Sequence, residues 1–400
     1  MSIIATRLQV VKPSPTLAVT SKARELSAQG VNIISLAAGE PDFDTPENIK
    51  GAAIEGITNG ATKYTPVSGT MKLKRAICDK FKRENQLDYD QSEVIVGNGG
   101  KQVIYNLFMA TIDAGDEVII PVPYWVSYPD MVLLAGGIPV TVLSDMSTGF
   151  RPKPSDIEAA ITDRTKWFIL NSPNNPSGAA YTEAELQALA EVFRKYLHVN
   201  IMCDDIYEHI TFDGFEFKTL ATIAPDLKDR VFIVNGVSKA YSMTGWRIGY
   251  GAGNKDIIKA MTVIQSQSTS NPSSVSQVAA VEALNGTQDF INSNAENFCT
   301  KRNLVLSLLG DAEDLECYRS EGSFYLFPKC SKLFGKKTPN GGAIKNSSDL
   351  ATYLLESANV AVVPGIGFGL EGYLRISYAT SERLLTKSCN RITEAISKLN

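Results

Sequence analysis

Lys239 and Arg247 stand eight residues apart in Ser238-Lys239-Ala240-Tyr241-Ser242-Met243-Thr244-Gly245-Trp246-Arg247, with Ile248-Gly249-Tyr250-Gly251 behind them. Upstream, the apolar run Val231–Val234 reads as a buried strand; Arg247–Gly253 reads as a second short one. A lysine on the loop between two core strands sheds part of its hydration, which lowers its pKa and makes it a usable amine nucleophile. Arg247 offers a planar fork of donors that matches a phosphate or a carboxylate. A solitary lysine is usually solvated surface, so the weight lies on the whole string.

Other stretches carry chemistry of their own. Gly97-Asn98-Gly99-Gly100-Lys101 invites comparison with a nucleotide phosphate loop, but the position six before Lys101 is Ile95, and Gln102 stands where Ser or Thr belongs. What remains is a glycine turn at a helix N-terminus, a generic anion site. Gly365-Ile366-Gly367-Phe368-Gly369 fails as a dinucleotide fingerprint and reads as a flexible turn. In Asp204-Asp205-Ile206-Tyr207 a carboxylate follows an apolar strand, where burial without a partner is costly. Asp204 either meets a cationic partner or caps the next helix. Trp125, in Pro123-Tyr124-Trp125-Val126-Ser127-Tyr128, has a flat face for stacking or for packing. Asn171-Ser172-Pro173-Asn174-Asn175-Pro176-Ser177-Gly178 is rich in turn formers. In Ala37-Ala38-Gly39-Glu40-Pro41, Gly39 allows close backbone approach to a ligand.

The elements that must position these residues alternate. A helix near Lys72–Arg83 precedes a strand Glu93–Val96, and a helix from Gln102 precedes strands Glu117–Pro121 and Pro139–Leu143. Strand Lys166–Leu170, a helix opening at Thr182 with Glu185 in capping-box spacing, and strands Asn200–Cys203 and Val231–Val234 follow. Short Val- and Ile-rich runs between helical patterns predict an α/β fold with a mostly parallel central sheet covered by helices. Ligands then belong at the carboxyl ends of the strands, where these motifs sit. Beyond Asn254 the pattern predicts helices over 254–267, 272–284 and 292–309, strand Ser323–Phe327, a helix near Asp349–Ser357, strand Leu374–Ser377 and a helix from Ser381. Residues 1–45, an extended arm plus a helix about Ser21–Gln29, join 291–400 in a smaller α/β domain; residues 46–290 form the large one. Gly, Lys, Asn and Pro dominate Cys330–Ser348, which reads as a surface loop.

Charged residues are 20% and the AVILMFWYC set 44% of 400 residues, and the net charge is −4, without a block of like charges. Nothing there suggests a nucleic-acid or membrane partner. Six scattered cysteines with no Cys-x-x-Cys argue for a reducing compartment, and two histidines argue against a metal centre or triad. Arg7, Lys12 and two prolines occupy the place of a signal peptide's apolar core, and no apolar run approaches the ~18 residues of a membrane span, so a cytoplasmic protein is expected.

Taken together, the Lys239–Arg247 string and its glycine tail resemble the cofactor attachment site of fold-type I pyridoxal 5′-phosphate (PLP) aminotransferases. The resemblance covers nearly the whole chain and is closest to the bacterial aspartate aminotransferases of subgroup Iβ, some of which also act on prephenate. It implies that Lys239 carries the cofactor covalently and moves the substrate α-proton. By the same resemblance the backbone of Gly100 and Lys101, with Ser238 and Arg247, holds the phosphate. Trp125 stacks on the ring, Asp204 pairs with its protonated nitrogen, and Asn175 and Tyr207 bind its 3′-oxygen. Tyr64 reaches the phosphate from the other subunit of a homodimer. Arg375, in Tyr373-Leu374-Arg375-Ile376-Ser377, and the Gly39 backbone take the substrate α-carboxylate; Trp125 and Asn175 also border the substrate. A distal carboxylate falls to Lys101 or to Lys12 on the N-terminal arm. The implied reaction exchanges amino groups between L-aspartate and 2-oxoglutarate, with prephenate as a further acceptor. An aromatic or broad-specificity aminotransferase, or a PLP lyase on the same fold, would share nearly all these residues. Gly236 stands where many members carry serine.

Overall fold

The computed structural model of the protein describes residues 3–11, 15–310 and 312–400. Its centre is a seven-stranded sheet. In chain order the strands are β1 (Val94–Gly97), β2 (Glu117–Pro121), β3 (Ile138–Val142), β4 (Thr165–Asn171), β5 (Asn200–Asp204), β6 (Val231–Gly236) and β7 (Gly249–Ala252). In space they run β1-β7-β6-β5-β4-β2-β3. β7 is antiparallel to both its neighbours, β1 and β6, while the remaining pairs are parallel.

The apolar runs are continuous because the sheet is buried on both faces and the side chains alternate. Ile119, Phe168, Leu170, Ile201, Cys203, Val231 and Ile233 enter one core. Val118, Ile120, Trp167, Ile169, Met202, Phe232 and Val234 enter the other. A third core joins residues from both ends of the chain, among them Ile34, Leu36, Phe298, Val305, Leu326, Leu354, Leu374, Ile376 and Ile392. There Leu374–Ser377 is the middle strand of a small antiparallel sheet, between Val363–Pro364 and Tyr325–Leu326. Ile34–Ser35 pairs in parallel with Val360–Ala361 and ties the N-terminal segment to this unit.

Several elements depart from the expected bounds. The first helix is Pro15–Ala28 rather than 21–29, and the arm before it contains a 3-10 turn, Thr6–Gln9. β7 opens at Gly249 because Arg247 is left-handed, φ 55°. The strand expected over 323–327 shrinks to Tyr325–Leu326, Ser323 also being left-handed. The helix expected over 292–309 runs Asp289–Gly310. A short helix that the sequence pattern does not predict, Tyr128–Leu134, opens at the last residue of the Pro123–Tyr128 string. Gly365–Phe368 is a packed 3-10 turn with Gly365 and Phe368 buried, not a flexible one. Thr182 and Glu185 do form a capping box. Among the described residues no helix is long and apolar enough to cross a membrane.

Candidate active site

All the parallel strands end at one edge of the sheet, and β7, running the other way, begins there. Five loops therefore converge: Asn98–Lys101 after β1, the Trp125 segment after β2, Asn175 after β4, Asp205–Tyr207 after β5, and Ser238–Lys239 after β6. Arg247 arrives from the start of β7. Together with Gly39 and Arg375 they line a cavity of about 440 Å³.

Lys239 enters this cavity with its Nζ donating to the Gly39 carbonyl at 2.6 Å. Burial, and next to it the Arg375 charge, pushes the Lys239 ammonium down to about 8, while Glu40 pulls the other way. A lysine in that range supplies neutral amine near neutral pH, the state that attacks a carbonyl or accepts a proton. Gly39 has no room for a side chain: a Cβ there would lie 2.9 Å from the Tyr325 hydroxyl.

Asp204 closes the floor. It is 7% exposed, and burial raises its carboxyl to about 6 against the opposing Tyr128 hydrogen bond. The Tyr128 hydroxyl donates to Asp204 Oδ2 at 2.5 Å, and Asn171 Nδ2 donates to the Asp204 main-chain oxygen at 2.9 Å. Asp204 is thus a buried carboxylate facing a cavity rather than the cap of a following helix. Tyr207 is buried, with its hydroxyl 3.0 Å from that of Tyr325.

The glycine turn opens the helix Gly100–Thr111, with Gly99 as its cap at φ 87°. The first amides of that helix have no partners within it, which makes its N-terminus attractive to anions. Arg247 lies across the turn, donating to the main-chain oxygens of Thr244 at 2.9 Å and Asn98 at 3.2 Å. Packing is tight enough that a Cβ on Gly99 would collide with the Arg247 guanidinium, and one on Gly249 with the Gly99–Gly100 backbone. A Cβ on Gly236 would meet Gly249 Cα and the Ile248 oxygen at 3.0 Å, so a serine at that position would press on β7. Lys101 places its ammonium 4.8 Å from the Trp125 ring centroid; burial and then Arg247 lower its pKa.

Arg375 is 2% exposed. Its Nη1 donates to Asn175 Oδ1 at 3.1 Å and its Nη2 to the Ala37 oxygen at 2.6 Å, with Tyr325 and Phe368 rings 4.6 and 5.0 Å from the guanidinium. Its Nε is buried without a hydrogen-bond partner. A buried, incompletely paired guanidinium at the cavity wall has the geometry to receive a carboxylate.

The cavity thus gathers Gly39, Gly100, Lys101, Trp125, Asn175, Asp204, Tyr207, Ser238, Lys239, Arg247 and Arg375. It does not gather Tyr64, which is 91% exposed on the outside of the chain. Lys12 lies outside the described residues. Thr16, Thr20 and Arg24 of the helix Pro15–Ala28 form a wall that sequence reading missed, as it missed Tyr128 and Tyr325. Tyr128 lies in the aromatic Pro123–Tyr128 stretch, but nothing local marks its partner, 76 residues away.

Residues 31–392 match the model of the family described as aminotransferase class I and II. A Rickettsia conorii protein named probable aspartate/prephenate aminotransferase is 65% identical over 396 residues, 99% of each chain. The crystal structure of the Rhizobium meliloti aspartate aminotransferase is similar at a TM-score of 0.97 and 50% identity, covering 100% of both chains. A Thermus thermophilus aspartate aminotransferase structure with maleate is similar at a TM-score of 0.92 and 43% identity, covering 99% of this chain and 100% of the other.

Proposed function

Because the chain belongs to the class I and II aminotransferases, we propose that it exchanges an amino group between L-aspartate and 2-oxoglutarate, giving oxaloacetate and L-glutamate, with prephenate, converted to arogenate, as a further acceptor. The observation that carries this reading is one cavity holding Lys239, its pKa lowered, together with two cations, Arg375 and Lys101, suited to the two carboxylates of such substrates. The relative named for both aspartate and prephenate, and the neighbour solved with the dicarboxylate maleate, support the substrate choice.

The residues present fit pyridoxal 5′-phosphate. The helix N-terminus at Gly100 and Lys101, with Ser238 and Arg247, suits its phosphate, and the buried Asp204 suits its ring nitrogen. Trp125 would lie against the ring, and Asn175 and Tyr207 would bind the 3′-oxygen. When bound, this group supplies the electron sink that acidifies the substrate α-carbon. Arg375 and the Gly39 backbone hold the α-carboxylate. Lys239 then takes the proton from the α-carbon and returns it, as general base and then acid.

The assay that tests the reading mixes the enzyme with aspartate, 2-oxoglutarate and prephenate, singly and in pairs. Sustained oxaloacetate formation is expected only when an acceptor accompanies aspartate, aspartate alone giving no more than one equivalent per site; continuous product from aspartate alone would mean a lyase. Lys101→Ala should raise KM for aspartate about 10- to 100-fold, the equivalent of one charged hydrogen bond at roughly 1.5–3 kcal/mol, and leave a neutral aromatic substrate nearly unaffected. Equal losses on both substrates would assign Lys101 to the cofactor or the fold instead.

The core that the two ends of the chain share, joined by Tyr207, Ile210 and Phe212, supports a small domain of 1–45 and 291–400 beside a large one of 46–290; limited proteolysis that cuts first elsewhere would count against it. The exposure of Tyr64 supports a homodimer in which it serves the neighbouring site. Six unpaired cysteines support a cytoplasmic location, which recovery in a membrane or periplasmic fraction would overturn.

A further inference from the structure

We infer that Tyr128 is a positioning residue for proton placement: by hydrogen-bonding one oxygen of Asp204, it keeps that carboxylate ionised so that the proton facing it stays on the cofactor's ring nitrogen. The inference rests on the cofactor reading above and adds to it a residue that acts through Asp204.

The geometry is specific. Tyr128 is 1% exposed, and its hydroxyl lies 2.5 Å from Asp204 Oδ2. Its ring meets Trp125 edge to face, centroids 5.3 Å apart at 82°, and its main-chain N–H donates to the Trp125 oxygen at 3.0 Å. One side chain therefore braces both the carboxylate and the indole that border the same cavity. A buried carboxylate left to itself takes up a proton. A cation would stop this but would also neutralise the charge that a protonated ring nitrogen needs opposite it. A phenol stabilises the ionised form without cancelling its charge.

The groups around Asp204 act in both directions. Lys239 favours its ionised form, with the Ile206 backbone, while burial opposes it. Asp205, Tyr207 and Cys203 are the other titratable groups coupled to it. Tyr128 is the side-chain donor in this set. A proton shared between the ring nitrogen and Asp204 rests on the stronger base. Removing the Tyr128 hydroxyl strengthens Asp204 as a base, so the proton passes from nitrogen to carboxylate oxygen, and a neutral ring withdraws fewer electrons from the α-carbon.

The test uses the holoenzyme loaded with PLP labelled with ¹⁵N in the ring. The wild-type nitrogen should resonate as protonated, and in Tyr128→Phe it should move toward the unprotonated position. kcat should fall while KM for aspartate holds, because Arg375 and Lys101 are untouched. In the cofactor-free full-length chain with ¹³C-labelled aspartate, the Asp204 midpoint should rise by on the order of one to two pH units in Tyr128→Phe. Incorporating 3-fluorotyrosine at position 128, a more acidic donor of nearly the same shape, should move that midpoint down, and it decides the matter alone if the phenylalanine variant does not fold. A protonated nitrogen in both wild type and Tyr128→Phe would overturn the inference, as would a midpoint insensitive to the fluorotyrosine. An unprotonated nitrogen in the wild type would instead overturn the pairing of Asp204 with the ring, and the inference with it.

Discussion

Lys239→Ala is expected to slow amino transfer by 10²–10⁴-fold or more, the range that general acid–base catalysis contributes, because it removes the amine that reaches the Gly39 side of the cavity. The variant should also lose the visible absorbance of lysine-held cofactor while still binding phosphate at the Gly100–Lys101 turn. Its pH behaviour gives a second readout. In the folded, cofactor-free chain Lys239 titrates near 8, whereas an unfolded lysine titrates near ~10.4. Between those values the unfolded chain holds the extra proton, so folded-state stability rises with pH across that window. The alanine variant should lack this part of the slope. Turnover like wild type would end the assignment of Lys239. The same variant tests assembly. Mixed with Tyr64→Ala, it should form hybrid dimers, if the proposed shared-site dimer holds, in which one site has both an intact Lys239 and an intact partner Tyr64. Partial activity should return; none, with subunit exchange verified, would count against shared sites.

Arg375→Lys should raise KM for every amino-acid substrate, about 10²-fold or more, since a lysine keeps the charge but loses the planar fork and one or two charged hydrogen bonds of roughly 1.5–3 kcal/mol each. Part of the loss would come from the protein itself. The Ala37 oxygen and Asn175 Oδ1 would lose the donors that now reach them. The expected pattern differs from that of Lys101→Ala. The α-carboxylate is common to aspartate, glutamate and aromatic amino acids, so Arg375→Lys should weaken them alike. An effect confined to dicarboxylic substrates would exchange the roles given to Arg375 and Lys101.

By itself the sequence determined which residues can do the chemistry and which kind of sheet presents them. The Lys239–Arg247 string, the glycine turn at Gly99-Gly100, and a carboxylate at the end of an apolar run are local features. So are the two-sided strands, whose side chains must be apolar in both directions once helices cover both faces. The capping box at Thr182 and Glu185 is equally local, and it formed where the spacing indicates. Only the tertiary structure decided that β7 runs against its neighbours, which brings Arg247 to the edge where Lys239 follows the end of β6. It alone set Arg375 beside Asn175, 200 residues away, and the Tyr128 hydroxyl on Asp204. It also turned Tyr64 outward and made a cavity wall of the helix Pro15–Ala28. Local propensity fixes φ and ψ over a few residues. Strand direction, and polar contacts across long separations, follow from which apolar faces can be buried together, and that is a property of the whole packed chain.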